Sequence, residues 1–156
     1  MDGLSAAASV IAVVQLTEEI IKICYGYAMT AKDARRDIRA LADELESLQD
    51  VLADIQRLSE SPEAHTRLSR LGRLVQPGSP LEKCSRCLEE LKGKLESTRD
   101  PGTMNQIKTV LGWPFKRKDT TRAIDLVRSY RDILSLVINT DQTSVNRPLD
   151  HSINSG

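Results

Sequence analysis

Apolar positions along this chain recur at intervals of three and four, the period of a helix with one buried side. The clearest run is Ile38, Leu41, Leu45, Leu48, Leu52 and Ile55, set among Arg35, Arg36, Arg39, Asp43, Glu44, Glu46, Asp50 and Asp54. It predicts a helix with a core seam and a solvated face, opened by a cap formed from Thr30 and Asp33. Such a seam suits packing inside a bundle, and it also suits an intermolecular coiled coil.

Ahead of it, Leu4 to about Ala28 reads as a first helix whose apolar face runs Leu4, Ala8, Ile11, Val14, Ile20, Ile21 and Cys24. From Gly3 to Leu16 no residue is charged, so the remaining faces are almost as apolar as the first. An export signal is not expected, because only Met1 and Asp2 precede the run and Thr17, Glu18 and Glu19 follow it. A resident membrane span takes about 20 apolar residues, and extending the run to Tyr27 brings in Glu18, Glu19 and Lys22. Two readings remain, a core helix and a segment that enters a membrane conditionally.

After the seam helix, Ser61 and Pro62 can start a short helix carrying Leu68, Leu71 and Val75, stopped by Gln76-Pro77-Gly78. Ser79, Pro80 and Glu82 then form a capping box ahead of Leu81, Cys84, Leu88, Leu91 and Leu95. A turn at Arg99-Asp100-Pro101-Gly102 leads into a short helix from about Thr103 to Leu111, which Gly112-Trp113-Pro114 ends. Asp119 is the expected cap of a last helix with the face Ile124, Val127, Tyr130, Leu134, Val137 and Ile138. No strand pattern and no internal repeat is found. The expected fold is all-α, a helical bundle of about four long helices with one or two short connecting helices, over residues 1–141, followed by a disordered tail or linker start over 142–156.

Composition fits this picture: of 156 residues, 40% are hydrophobic and only 3% aromatic, so aliphatic side chains must fill the core. Net charge is zero but unevenly placed. Residues 1–60 hold 6 basic and 11 acidic side chains, net −5, and residues 61–156 hold 16 and 11, net +5. Oppositely charged helices lying side by side would explain the split, as would attraction of the basic half to an anionic partner. The three cysteines, Cys24, Cys84 and Cys87, form an odd set that fits a reducing cytosol, and no structural disulfide is expected.

Candidate chemistry is sparse. Cys84-Ser85-Arg86-Cys87 is a CxxC, but Cys24, His65 and His151 do not supply a second ligand pair, so packing is the expected role and no metal site is assigned. No nucleophile, base and orienting group can be assembled, and the eight glycines form no phosphate loop. No catalytic residue and no cofactor are therefore assigned, and enzymatic activity is not expected. Trp113, Phe115, Lys116, Arg117 and Lys118 combine the only Trp, the only Phe and the densest basic cluster. This grouping suits a membrane interface; equally, the rings can plug the end of the bundle while the basic residues stay solvated.

Three stretches together resemble one family: Met1-Asp2-Gly3-Leu4-Ser5 continuing through Ala8-Ser9-Val10-Ile11-Ala12-Val13 and Gln15-Leu16-Thr17, then Gly78-Ser79-Pro80-Leu81, then Leu111-Gly112-Trp113-Pro114-Phe115-Lys116. Over roughly Met1 to Gln142 the chain is similar to the fungal HeLo-like domains, also described as the N-terminal domain of azaphilone pigment cluster protein L. These stand at the front of fungal STAND receptors bearing NACHT modules. The resemblance implies a helical bundle that signals in regulated cell death by self-association, with its first helix turned to the membrane on activation. Carried onto this chain, the inserting residues are Leu4, Val10, Ile11, Val13, Val14 and Leu16. The implied location is cytoplasmic, with recruitment to the plasma membrane on activation. Expected partners are further copies of the chain, membrane lipid and other signalling proteins, with no nucleic acid. The alternative is a helical adaptor that binds partner proteins through the acidic face of the second helix or the basic later half, without membrane activity.

Overall fold

The apolar stripes of the seam helix, of the helix opened by Ser79 and of the last helix become inner faces of the bundle. The structure, a computed structural model, describes residues 2–31, 33–60, 76–97 and 113–146, with side chains over 7–31, 33–60, 76–96 and 113–139. Four helices are present among them: α1 (Asp2–Thr30), α2 (Arg35–Glu60), α3 (Pro80–Ser97) and α4 (Arg117–Asn146), with no strand. The short helices expected at 62–75 and 103–111 and the turn at 99–102 lie outside the described residues, as do residues 147–156. The last helix runs five residues past Asp141, so the boundary expected there falls inside α4.

Helix α1 packs on α2 and α3, and α4 packs on the same two, so the order around the bundle is α1, α2, α4, α3. The short link from Thr30 to Arg35 reverses the chain between α1 and α2. The Tyr27 hydroxyl donates to the Leu95 carbonyl at 2.8 Å, which brings the C-terminal ends of α1 and α3 together. Arg117 lies 4.0 Å from Asp37 and Arg131 pairs with Glu44, so α2 and α4 run start to start. Successive helices alternate in direction, so the adjacent pairs α1–α3 and α2–α4 run parallel and α1–α2 and α3–α4 antiparallel.

Caps decide where the helices begin. Thr30 is the last residue of α1, and its hydroxyl donates back to the Tyr27 carbonyl at 3.2 Å. It therefore does not cap α2, where the Ala34 carbonyl accepts the first helical bond, from Ile38 N–H at 2.9 Å. The Arg35 side chain instead finishes α1 by donating to the Ala28 carbonyl at 3.0 Å, one of the groups a helix end leaves unpaired. Helix α3 opens as expected. Gln76 to Ser79 closes a turn through a 3.0 Å backbone bond, with Gly78 at φ +80°, the left-handed position a type II turn requires after Pro77. Ser79 Oγ accepts from Glu82 N–H at 3.2 Å, while the Glu82 carboxylate accepts from Gly78 N–H at 2.6 Å, one residue earlier than a regular capping box. At α4 the first carbonyl is that of Lys116, accepting from Asp119 and Thr120, so Asp119 sits in the first turn rather than at the cap.

All six seam residues of α2 are fully buried, and Leu81, Cys84, Leu88, Leu91 and Leu95 line the inner face of α3. The charge asymmetry is met inside the bundle. Glu44 on acidic α2 takes both Arg128 and Arg131 of α4, and Glu19 on α1 takes Lys92 of α3. Glu44 has a side chain only 12% exposed, so its two arginines stand in for lost water.

Candidate functional site

The residues implied as membrane-inserting lie on a helix that the bundle holds closed. Val10 and Val13 are buried, Ile11, Val14 and Leu16 are half-buried, and the side chain of Leu4 lies outside the described residues. The inward stripe runs Val10, Val13, Thr17, Ile20, Cys24 and Tyr27. This corrects the face expected from the sequence: Ala8 is exposed and Ile11 and Val14 sit at its margin. An almost uniformly apolar surface gives no contrast from which a face can be read, so the choice falls to the neighbours. Thr17, fully buried among these aliphatic residues, directs its hydroxyl to the Val13 carbonyl at 2.7 Å. Among the described residues no helix is long and apolar enough to cross a membrane.

The second half of α1 is tied to every neighbour. Glu19 pairs with Lys92, the Tyr25 hydroxyl donates to Glu46 at 2.5 Å, and Tyr27 reaches Leu95. The Glu46 carboxylate, by accepting that bond, pushes the Tyr25 phenol up from its ordinary range.

At the same end stands the aromatic cluster. The Trp113 ring lies edge-on to Tyr27, with centroids 5.3 Å apart at 81°, and to Phe115, at 5.3 Å and 64°. Trp113 Nε1–H donates to Thr120 Oγ1 at 2.9 Å, and the buried Thr120 hydroxyl donates on to the Lys116 carbonyl. The structure thus divides the interfacial set. Trp113 and Phe115 plug the bundle, while Lys116, Arg117 and Lys118 stand exposed on its outside. Tyr27 and Thr120 were not singled out in the sequence; a hydroxyl seven residues beyond the only Trp was the available signal for Thr120.

The CxxC is split in the same way. Cys84 is buried in the core and Cys87 is half-buried at its edge. Desolvation pushes the Cys24 and Cys84 thiols up to about 12, which keeps them neutral and unreactive. Among the described residues no three His, Cys, Asp or Glu side chains gather as a metal set, and His65 and His151 lie outside those residues. Between α3 and α4 runs a half-open groove of about 480 Å³, floored by Leu91, Phe115, Leu126 and Val127 with Cys87 and Arg122 on its walls. It presents no activated nucleophile.

A four-helix bundle with an apolar first helix and an aromatic plug is the class of domain these features define. The family model described as Pigment biosynthesis cluster protein PigL N-terminal matches residues 1–140. The chain belongs to this family, whose members are the HeLo-like domains that the three quoted stretches resemble. No curated protein and no solved structure matches the chain.

Proposed function

We propose that this chain is a non-enzymatic effector domain of regulated cell death from a fungal STAND-type receptor. It acts by self-association and by engagement of membrane lipid through α1. It works in the cytoplasm and is recruited to the plasma membrane on activation; its partners are further copies of the chain and other signalling proteins, not nucleic acid.

One observation carries the reading: in the uncharged stretch Gly3 to Leu16, the described side chains, those of 7–16, include only Val10 and Val13 as buried residues, with Ala8, Ala12 and Gln15 at the surface and the rest partly buried. A helix this apolar gains by leaving water on all sides, and over residues 7–16 the bundle fully covers two side chains. Assembly that frees it would present that surface to lipid. The exposed Lys116, Arg117 and Lys118 add attraction to anionic headgroups.

The test is dye leakage from anionic liposomes. An oligomeric preparation is expected to release dye, and Val14→Glu, at a half-buried site, is expected to abolish release while the fold is retained. Intact liposomes with a verified oligomer would remove the membrane arm.

The adaptor reading is favoured by one feature. Asp43 and Asp50 stand exposed on the outer side of α2 without an ion pair among the described residues. It predicts saturable, salt-weakened binding of a basic protein surface with no lipid effect.

A further inference from the structure

We infer that α1 is built in two parts that open separately, with a hinge at Val13–Thr17: residues 7–16 detach while residues 19–31 stay docked. The inference rests on the reading of α1 as a releasable helix and adds which part is released.

Polar ties to the rest of the chain are placed unevenly along α1. From Glu19 onward the helix is held to α3 by Lys92 and by the Leu95 carbonyl, to α2 by Glu46 and Arg35, and to the plug by Trp113. Across residues 7–16 no side-chain hydrogen bond or ion pair to another helix is present among the described residues. Burial follows the same division. In 7–16 only Val10 and Val13 are buried, whereas Thr17, Ile20, Ile21, Ile23, Cys24, Tyr27, Ala28 and Ala31 are buried in the part that follows.

Thr17 stands at the border. Its hydroxyl bonds to the Val13 carbonyl, which the helix's own i to i−4 pattern already uses. A threonine bonding back in this way weakens and bends a helix, and here it does so at the first buried polar side chain after the uncharged stretch. Local opening is drawn from segments with few buried contacts, and residues 7–16 meet that condition. A helix hinged there can offer its apolar half to a new surface without breaking the plug or the bundle below it.

Hydrogen exchange on the full chain without lipid reads this directly. Backbone amides of 7–16 are expected to exchange at least about tenfold faster than those of 20–30, by an opening that depends little on denaturant. Equal protection along α1 would overturn the hinge. A double variant, Lys92→Ala with Tyr27→Phe, removes ties of the second part only. The expected result is a fall in protection over 20–30 with 7–16 unchanged; a joint fall over both parts would show that α1 opens as one unit. Because no lipid is present, failure here leaves the leakage result standing, and intact liposomes leave the hinge standing.

Discussion

Replacing Trp113 separates its two readings in a single measurement. In the closed bundle Trp113 makes two edge-to-face ring contacts, each contributing about 0.5–1.5 kcal/mol, and one hydrogen bond to buried Thr120, contributing about 1 kcal/mol. The ring is only partly buried, so the apolar area it adds is less than that of a full core residue. Trp113→Ala should therefore cost about 3 kcal/mol, a large share of the roughly 5–15 kcal/mol that a domain possesses. Trp113→Phe keeps the ring contacts and loses the donor, so it should cost about 1 kcal/mol. Urea unfolding followed by far-UV circular dichroism gives both values, with unchanged slope as the check that only stability has moved. A Trp113→Ala variant within about 0.5 kcal/mol of the parent would refute the plug, because that is the response of a ring lying on the surface.

Three further outcomes follow from the packing. Cys24 and Cys84 have folded pKa values raised from 9.0 to about 12, so the folded state holds protons that the unfolded chain releases; stability is complete below pH 9 and falls as pH rises toward 12. The loss is about 1.4 kcal/mol per pH unit for each thiol, and the Cys24→Ala, Cys84→Ala double variant should lose stability less steeply between pH 9 and 11 in the same unfolding assay. Glu44→Ala removes the acceptor of Arg128 and Arg131; both arginines are partly exposed and can rehydrate, so chemical denaturation should show a loss of about 1–2 kcal/mol rather than the larger cost of a sealed pair. Gly78→Ala meets no atom within 4 Å, so its cost is conformational alone, about 1–2 kcal/mol for a side chain held at φ +80°, and a shift in melting temperature reads it.

What the sequence could and could not reveal depends on contrast between faces. In α2, leucines and isoleucines alternate with carboxylates and arginines, and the seam read from that pattern is the buried face. The same holds for Leu81, Cys84, Leu88, Leu91 and Leu95 in α3, whose capping residues also announce its start. Helix α1 lacks contrast before Glu18, so its orientation came out about one residue away from the observed stripe. The N-terminal caps of α2 and α4 were misplaced for another reason. Thr30 and Asp119 are residue types that suit a cap, but the backbone begins its helical bonds at Ala34 and Lys116 instead. Long-range ties such as Tyr27 to Leu95 and Glu44 to Arg131 depend on which helices become neighbours, and periodicity along one helix carries no information on that.

The candidate site shows the same division. The sequence pointed to the uncharged first helix and the Trp113 to Lys118 cluster. The structure adds that the aromatic members pack against the core while the basic ones are exposed, and that among the described side chains of α1 the polar ties to other helices begin at Glu19.

We propose that the first part of α1 leaves the bundle for lipid. An environment-sensitive fluorophore at Ala12→Cys, which is exposed on the closed bundle, tests it, with the native cysteines replaced and a second label at Met29→Cys as reference. On addition of anionic liposomes to the oligomer, emission at position 12 should rise and shift to the blue while position 29, 81% exposed beyond the hinge, stays as in water. Unchanged emission at position 12 from liposome-bound oligomer would show that the first part of α1 stays in the bundle.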